Sequence, residues 1–222
     1  MISIVIACSK ERLPMLERTL PLLLTQDYPN YEIVIVTDGT VATDPKIRTI
    51  MAQGAFSLPK WMNMGIKASR GYIVLLTMAD MRFQSPFQIL RMAHALKPRS
   101  FVTEKWWHEN GERDNGIYCQ CLMAHKSDLS TIGYFDERYD GLPGEDGEMV
   151  SSLLEQGLDL VRLSSPKAYG VLHIDHPRTD WSLPENIARI KKSRDLFYGK
   201  LDRTPKSVGA MYAKILKIKG PN

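Results

Sequence analysis

The sequence predicts an α/β fold with a mostly parallel central sheet. Apolar strand segments alternate with helical segments three times within the first hundred residues, as in parallel sheets joined by crossover helices. The segments Ile2–Ala7, Glu32–Val36 and Ile73–Leu76 are mostly apolar and rich in β-branched residues, as expected of strands covered on both faces. Asp38 and Asp80 follow two of these strands, at the sheet edge where such folds bind ligands.

Helix signals occupy the connections between these strands. Leucines recur at helical spacing over residues 16–24. Asp44 followed by Pro45 is a typical helix start and predicts a short helix that reaches about Ala52. An irregular stretch is expected over Gly54–Trp61, followed by one helix over residues 63–68 and another that begins at Ser85-Pro86.

The second half is predicted to be less regular. The expected strands are Phe101–Glu104, Ile117–Ala124 and about Tyr169–Leu172. The expected helices are Glu148–Gln156 and a helix that begins at the capping box Ser182–Glu185 and ends near Tyr198.

Length and composition predict one domain with a short appendage. The chain has 222 residues, of which 44% are apolar, enough for one ordinary core. We expect a single domain over residues 1–199, with halves 1–100 and 101–199, followed by a tail over 200–222.

Charge and cysteine content exclude several classes of protein. The net charge of +4, from 29 basic and 25 acidic residues, is too small to indicate nucleic-acid binding. Cys8, Cys119 and Cys121 supply neither a disulfide framework nor a four-cysteine metal site, and they indicate a reducing compartment. The sequence shows no signal-peptide pattern and no apolar run of the ~20 residues that span a bilayer, so we expect a cytoplasmic protein.

Basic and apolar residues alternate in the tail. Lys206, Lys214 and Lys217 lie among Met211 and Ile215 and similar residues. This pattern is typical of an amphipathic helix on an anionic membrane surface, and also of a solvated terminal helix or a partner contact. Peripheral membrane contact is therefore one hypothesis for this segment.

Two adjacent carboxylates, Glu145 and Asp146, follow a loop that contains Pro143 and Gly144. They are expected near a helix N-terminus, where backbone N–H groups stabilise negative charge. A carboxylate there can accept a proton from a substrate hydroxyl. The alternative is that both acids only complement the helix dipole.

Several segments together resemble a known family. They are Ile2–Ser9, Leu20–Gln26, Tyr31–Thr40, Asn63–Ile73 and Phe135–Asp146. Taken in order, over about residues 2–198, they resemble inverting glycosyltransferases of family 2, which have the GT-A fold. The last segment is similar to the acceptor-side motif of galactosyltransferase-like members.

This resemblance implies a Rossmann-like, mostly parallel sheet flanked by helices, with a smaller mixed acceptor-side portion. Residues 1–100 would bind the nucleotide-sugar and 101–199 the acceptor. The implied reaction moves a sugar, galactose or N-acetylgalactosamine by this motif, from a UDP-sugar to a glycan, lipid-linked or protein hydroxyl. One displacement would invert the anomeric configuration.

The resemblance also implies roles for residues of the first half. Asp38 matches the acid that hydrogen-bonds uracil, and Ala7, Cys8 and Glu11 lie where the first strand meets the nucleotide. Asp80 matches the last acid of the DxD element, which holds Mn²⁺ or Mg²⁺ on the diphosphate.

In the second half, Asp146 matches the catalytic base and Glu145 its neighbour that contacts the acceptor. His173 or His176 matches a late histidine that completes the metal shell in several relatives. A histidine ligand would favour Mn²⁺.

Two departures from the family's pattern leave alternatives open. Met78 stands where the DxD element has its first acid, and Thr37 stands where many members have a further acid. Metal binding would then be weaker or supplied mostly by substrate phosphates. A second hypothesis is therefore a non-catalytic nucleotide- or sugar-binding protein on a degenerate glycosyltransferase scaffold. Nucleotidyl transfer ranks last, because Ala7–Arg12 contains no glycine for a phosphate loop.

Each candidate residue also has a purely structural interpretation. Asp38 before Gly39 is a common turn, Asp80 is a candidate cap of the next segment, and the two histidines fit an exposed loop. Five aromatic residues are candidates for stacking on a sugar ring, although they are equally ordinary in cores: Trp106, Trp107, Tyr118, Tyr139 and Trp181.

Overall fold

A seven-stranded sheet and a three-stranded sheet organise the molecule, in a computed structural model that describes residues 1–114, 119–140, 142–176 and 183–200. The strands are β1 (Ile2–Ala7), β2 (Tyr31–Thr37), β3 (Ile47–Met51), β4 (Ile73–Met78), β5 (Met81–Phe83), β6 (Ser100–Glu104), β7 (Trp106–His108), β8 (Cys121–His125), β9 (Asp159–Leu163) and β10 (Val171–His173). The helices are α1 (Leu13–Leu24), α2 (Leu58–Ala68), α3 (Gln88–Ala95), α4 (Lys126–Thr131), α5 (Glu145–Glu155) and α6 (Pro184–Tyr198).

The central sheet has the strand order β3-β2-β1-β4-β8-β6-β9. Neighbours are parallel except where β8 pairs with β4 and β6. Ala7 is in register with Val36 on one side and Met78 on the other, so the carboxyl ends of three strands meet at one edge. Because β8 runs the opposite way, the residues that precede it reach this same edge. The predicted α/β class with a mostly parallel sheet is confirmed.

Helix α2 packs closely against strands β1 and β2 of this sheet. Every residue of β1 and β2 is buried, as expected of strands covered on both faces. A Cβ atom added at Gly65 would lie 2.4 Å from a methyl group of Val5 and 3.2 Å from one of Val36. Only glycine lets α2 approach this closely, and a side chain there would push the helix off the sheet.

The small sheet brings a late segment of the chain to an early strand end. Its order is β5-β10-β7, with β10 antiparallel to β5 and parallel to β7. The Ile174 N–H donates to the Asp80 carbonyl at 2.8 Å, and His173 is in register with His108. Residues separated by more than sixty positions therefore meet beside the end of β4.

The helix predicted from Asp44-Pro45 is wrong, because this segment leads into strand β3. The Asp44 carboxylate accepts the Lys46 N–H at 2.8 Å, and the Asp44 carbonyl accepts the Ile47 N–H. These bonds make a turn, for which an Asp is as well suited as for a helix cap. The β-branched residues after it then pair with β2.

Other boundaries also differ from the prediction. The stretch expected to be irregular contains the first turn of α2, which begins at Leu58 after Ser57, with Pro59 in the first turn. Strand β8 begins at Cys121. Strands β5, β7 and β9 and helix α4 were not predicted. The predicted cap Ser182, the start of the strand expected over 117–124, and the tail 201–222 lie outside the described residues.

Among the helices that the structure describes, we find none with the length and apolar character needed to cross a bilayer.

Candidate active site

A cleft of about 650 Å³ opens at the carboxyl edge of β1 and β4. Asp80 and His173 line one part of the cleft, which we call the first wall, and Glu145 and Asp146 line another, the second wall. The remaining lining residues are Ala7, Arg12, Phe56, Leu58, Pro59, Met78, Ala79, Trp106, Asp114, Gln120, Tyr139, Leu142, Pro143, Gly144 and Arg189.

The first wall is built around the buried carboxylate of Asp80, in the turn between β4 and β5. Its Oδ2 lies 3.0 Å from Nε2 of His176 and 3.7 Å from Nε2 of His173. The guanidinium of Arg12 lies 3.5 Å from the same oxygen. We call Asp80, His173 and His176 the Asp80 cluster.

The Asp80 cluster fits a divalent cation. One ligand atom from each of its three members lies within 4.8 Å of the others. The Asp80 Oδ1 atom is buried and has no hydrogen-bond partner among the described residues. A carboxylate oxygen left without a donor beside two imidazoles is an arrangement that a cation would satisfy, and mixed oxygen and nitrogen ligands suit Mn²⁺.

The second wall is the first turn of α5. Gly144 precedes the helix with a φ of +97°, a left-handed conformation that glycine adopts without strain. Ser193 of α6 donates a hydrogen bond to the Pro143 carbonyl, so α6 is attached to this loop. The attachment holds the two carboxylates of Glu145 and Asp146 against the cleft.

Neither carboxylate forms an ion pair with a residue in the part of the chain that the structure describes. Gln120 donates to Asp146 Oδ2 at 2.9 Å. Within the described part of the chain, Asp146 Oδ1 and Glu145 Oε2 are buried and accept no hydrogen bond. Unpaired carboxylate oxygens in a dry site are unfavourable as ions, so both groups hold protons more tightly than ordinary acids.

Burial is the main cause of these shifts. Burial and the neighbouring Asp146 charge raise the pKa of Glu145 to about 7. Burial, with a contribution from the charge of Asp80, raises the pKa of Asp146 to about 6, against hydrogen bonds from Cys119 and Gln120 that lower it. The sequence suggested that a helix N-terminus would stabilise these charges. Backbone donors do lower the pKa of Glu145, but burial outweighs them.

Among the predicted nucleotide-side residues, Ala7 alone lines the cleft. Asp38 lies at the end of the neighbouring strand β2, where its carboxylate accepts the Lys10 N–H at 2.7 Å. Cys8 is buried, and burial raises the pKa of its thiol to about 12. Glu11 is exposed.

The aromatic candidates separate into three groups. Trp106 and Tyr139 line the cleft. Trp107 does not, because its Nε1–H donates to the Ser165 carbonyl at 3.0 Å and its ring packs on Arg113. Tyr118 and Trp181 lie outside the described residues.

Sequence reasoning missed Arg12, Gln120 and Arg189. Arg12 had a usable signal, since it follows the carboxyl end of β1 closely. Gln120 is a polar residue between two buried cysteines, which is also a signal. Arg189 has none, because its position depends on how α6 packs.

Comparison with known proteins gives structural matches only. No protein-family model matches the sequence, and no curated protein matches it. S. aureus TarS 1–349 in complex with UDP-GlcNAc matches with a TM-score of 0.69 and 14% identity, over 93% of this chain and 68% of that chain. A longer S. aureus TarS structure matches with a TM-score of 0.67 and 15% identity, over 97% of this chain and 42% of that one.

A mannosyltransferase, PcManGT from Pyrobaculum calidifontis in complex with GDP-Man and Mn²⁺, also matches. Its TM-score is 0.61 at 11% identity, over 98% of this chain and 81% of that chain. At such low identity these matches establish architecture alone. The chain has a GT-A-like glycosyltransferase fold.

Proposed function

We propose that this protein is a glycosyltransferase that moves a sugar from a nucleotide-sugar donor to a hydroxyl acceptor. The observation that supports this most directly is one cleft with two unlike walls. The Asp80 cluster supplies cation ligands on one side, and the partly buried pair Glu145 and Asp146 supplies a base on the other. The GT-A-like fold is consistent with this reaction.

The donor half would be residues 1–100 of a single catalytic domain over 1–199, with 200–222 as a tail. The uracil ring would meet Asp38, and the backbone around Ala7, Cys8 and Glu11 would border the nucleotide. TarS has been solved with UDP-GlcNAc and UDP, and PcManGT with GDP-Man, so a nucleoside diphosphate is the shared ligand chemistry. We favour UDP because of Asp38.

Asp80, His173 and His176 would hold Mn²⁺ or Mg²⁺. A divalent cation bound there would neutralise charge on the diphosphate as it leaves. The guanidinium of Arg12, which lines the same wall, adds a fixed positive charge where that diphosphate would lie.

The acceptor hydroxyl would lose its proton to Asp146 while its oxygen attacks the anomeric carbon. A single displacement of this kind inverts the configuration, as in family 2. A base works best when its pKa is near the working pH, and burial moves Asp146 in that direction. Glu145 would contact the acceptor, and Trp106 and Tyr139 line the same cleft. Galactose or N-acetylgalactosamine is the proposed sugar, and a glycan, lipid-linked or protein hydroxyl the acceptor.

The test is a panel of UDP- and GDP-sugars with release of the nucleoside diphosphate as the readout, with and without Mn²⁺. We expect Mn²⁺-dependent release from at least one UDP-sugar, and its loss in Asp146→Asn. Retention of full activity by that variant would refute the assigned base.

Met78 motivates one other candidate function, because the cleft has a thioether where the DxD element has its first acid. The protein would then bind a nucleotide or sugar without catalysis. Calorimetry with UDP and Mn²⁺ separates the two functions. Binding without turnover on a broad donor and acceptor panel favours this second one.

We also propose peripheral contact with an anionic membrane surface. Leu183, Ile187 and Ile190 form an exposed apolar row on α6, the helix also contains Lys191 and Lys192, and the basic tail follows it. Such a helix binds anionic lipid through its apolar row and its charge. Sedimentation with phosphatidylcholine vesicles, with and without phosphatidylglycerol, tests this. Binding should require the anionic lipid and should weaken in Ile187→Ser.

A further inference from the structure

His173 belongs to two groups of side chains that could each hold a cation. Its Nε2 faces Asp80, as described above, and its Nδ1 lies 3.4 Å from Oδ1 of Asp175. The second group consists of His108, His173 and Asp175. A neutral imidazole has one nitrogen with a proton and one with a free lone pair. His173 therefore cannot serve as a cation ligand in both groups at once.

The surroundings of Asp175 favour a role as hydrogen-bond acceptor. Its Oδ1 lies between two ring nitrogens, 3.4 Å from Nδ1 of His108 and the same distance from Nδ1 of His173. The Asp175 side chain is 46% exposed, whereas that of Asp80 is 7% exposed. The buried Asp80 carboxylate, with an oxygen that no described residue satisfies, is the better cation site.

The backbone of Asp175 is also fixed in place. Its N–H donates to Glu109 Oε2 at 3.1 Å, and the other oxygen of Glu109 pairs with Arg18 at 3.3 Å. The His173 ring is further confined by the ring of Trp106, with centroids 5.1 Å apart. Asp175 is thus held at the Nδ1 side of a ring that has little room to turn.

Resting on the proposed function, we propose that Asp175 is a positioning residue for the metal site. It accepts the Nδ1–H of His173, which leaves the Nε2 lone pair directed at a divalent cation on Asp80 and His176. His108 and Asp175 then support this site and do not form a separate one. Such supporting carboxylates fix the tautomer and orientation of a ligating histidine, and their loss typically weakens metal binding by about 10–100-fold.

The first experiment measures Mn²⁺ affinity by electron paramagnetic resonance, without nucleotide or acceptor. We expect Asp175→Ala to bind Mn²⁺ about 10–100-fold more weakly than the unmodified protein. Asp175→Asn keeps an acceptor oxygen but loses the charge, so we expect a smaller loss. Asp159→Asn is the control: Asp159 is exposed at the start of β9 and does not line the cleft, and we expect an unchanged Mn²⁺ affinity.

The second experiment needs no metal. Long-range ¹H–¹⁵N spectra at about pH 8, above the ordinary histidine pKa of ~6.5, report the tautomer of His173. We expect the Nδ1–H form in the unmodified protein and in Asp159→Asn, and a shift toward the Nε2–H form in Asp175→Ala.

The outcomes separate this inference from the proposed function. If the unmodified protein binds Mn²⁺ and Asp175→Ala binds it equally well with an unchanged tautomer, the inference is wrong and the metal site stands. If the Nδ1–H tautomer depends on Asp175 but no Mn²⁺ binds, the positioning of His173 stands and the metal part of the proposed function fails.

Discussion

The two walls of the cleft contain similar carboxylates in opposite surroundings. Asp80 is buried among cationic or potentially cationic partners, namely His173, His176 and Arg12. Asp146 is partly buried, has hydrogen bonds with Gln120 and Cys119, and has a second acid beside it. Opposite charges stabilise an ionised carboxylate, whereas dry surroundings and a like charge destabilise it. These different surroundings suit one acid to hold a cation and the other to accept a proton.

The largest expected effect comes from a substitution in the second wall, which contains the proposed base. Asp146→Asn keeps the side-chain shape and removes the proton acceptor, so we expect turnover to fall by about 10²–10⁴-fold. Mn²⁺ affinity should change far less than turnover, because Asp146 does not belong to the Asp80 cluster and interacts with Asp80 only through its charge. Steady-state kinetics and metal titration measure both. The exposed Asp159→Asn is the control and should behave like the unmodified protein.

The next largest effect comes from a substitution in the first wall, which contains the Asp80 cluster. Asp80→Asn leaves an amide in place of the central ligand of the Asp80 cluster, and we expect Mn²⁺ affinity to fall by more than the ~10–100-fold typical of a supporting partner. Titration followed by electron paramagnetic resonance measures it. Equal Mn²⁺ binding in this variant would mean that the cation binds elsewhere.

The dependence of the rate on pH sharpens the contrast between the walls. The base must be ionised, and burial raises the pKa values of Asp146 and Glu145 to about 6 and about 7. We expect kcat to rise about tenfold per pH unit below this range and to level off above it. The apparent pKa values belong to the pair together. A rate that is flat between about pH 5 and 8 would contradict the assignment.

The smallest effect concerns stability. With a raised pKa, the folded protein binds more protons than the unfolded chain between the ordinary pKa of 4.5 and about 7. The free energy of unfolding therefore falls as pH rises through this window. In Glu145→Gln this fall in the free energy of unfolding is absent. We therefore expect the variant to be more stable than the unmodified protein by on the order of 2 kcal/mol above about pH 7, and little more stable near pH 4.

Thermal denaturation at both pH values measures the stability difference. The exposed Glu155→Gln on the same helix is the control, and its effect on stability should differ less between the two pH values than that of Glu145→Gln. A gain in Glu145→Gln that is equal at both pH values would point to packing and not to the charge of the carboxylate.

The sequence was sufficient for features that lie within one segment. The β-branched runs of β1, β2 and β4 predicted the parallel sheet, and strand ends predicted Asp80. The loop before α5 predicted that Glu145 and Asp146 lie near a helix N-terminus. The expectation that these two acids share a cleft with Asp80 came from the resemblance to a family, because spacing along the chain does not encode it.

Features that depend on more than one segment were not predictable in this way. The three-residue strands β5 and β7 are too short to show a period of two, so the small sheet was missed. Gln120 was missed because it precedes an antiparallel strand, whereas ligand-binding residues are expected after the ends of parallel strands. The helix predicted from Asp44 was wrong because an Asp side chain suits both a helix cap and a turn.

The hydrogen bond from Ser193 to the Pro143 carbonyl has a consequence for proton affinity. It joins α6 to the loop that precedes the two acids, so α6 covers one side of that loop. If the helix separated from the loop, hydration would return both carboxylates toward the behaviour of ordinary surface acids. The strength of a bond made by a serine outside the cleft therefore helps to set how readily the cleft takes up a proton.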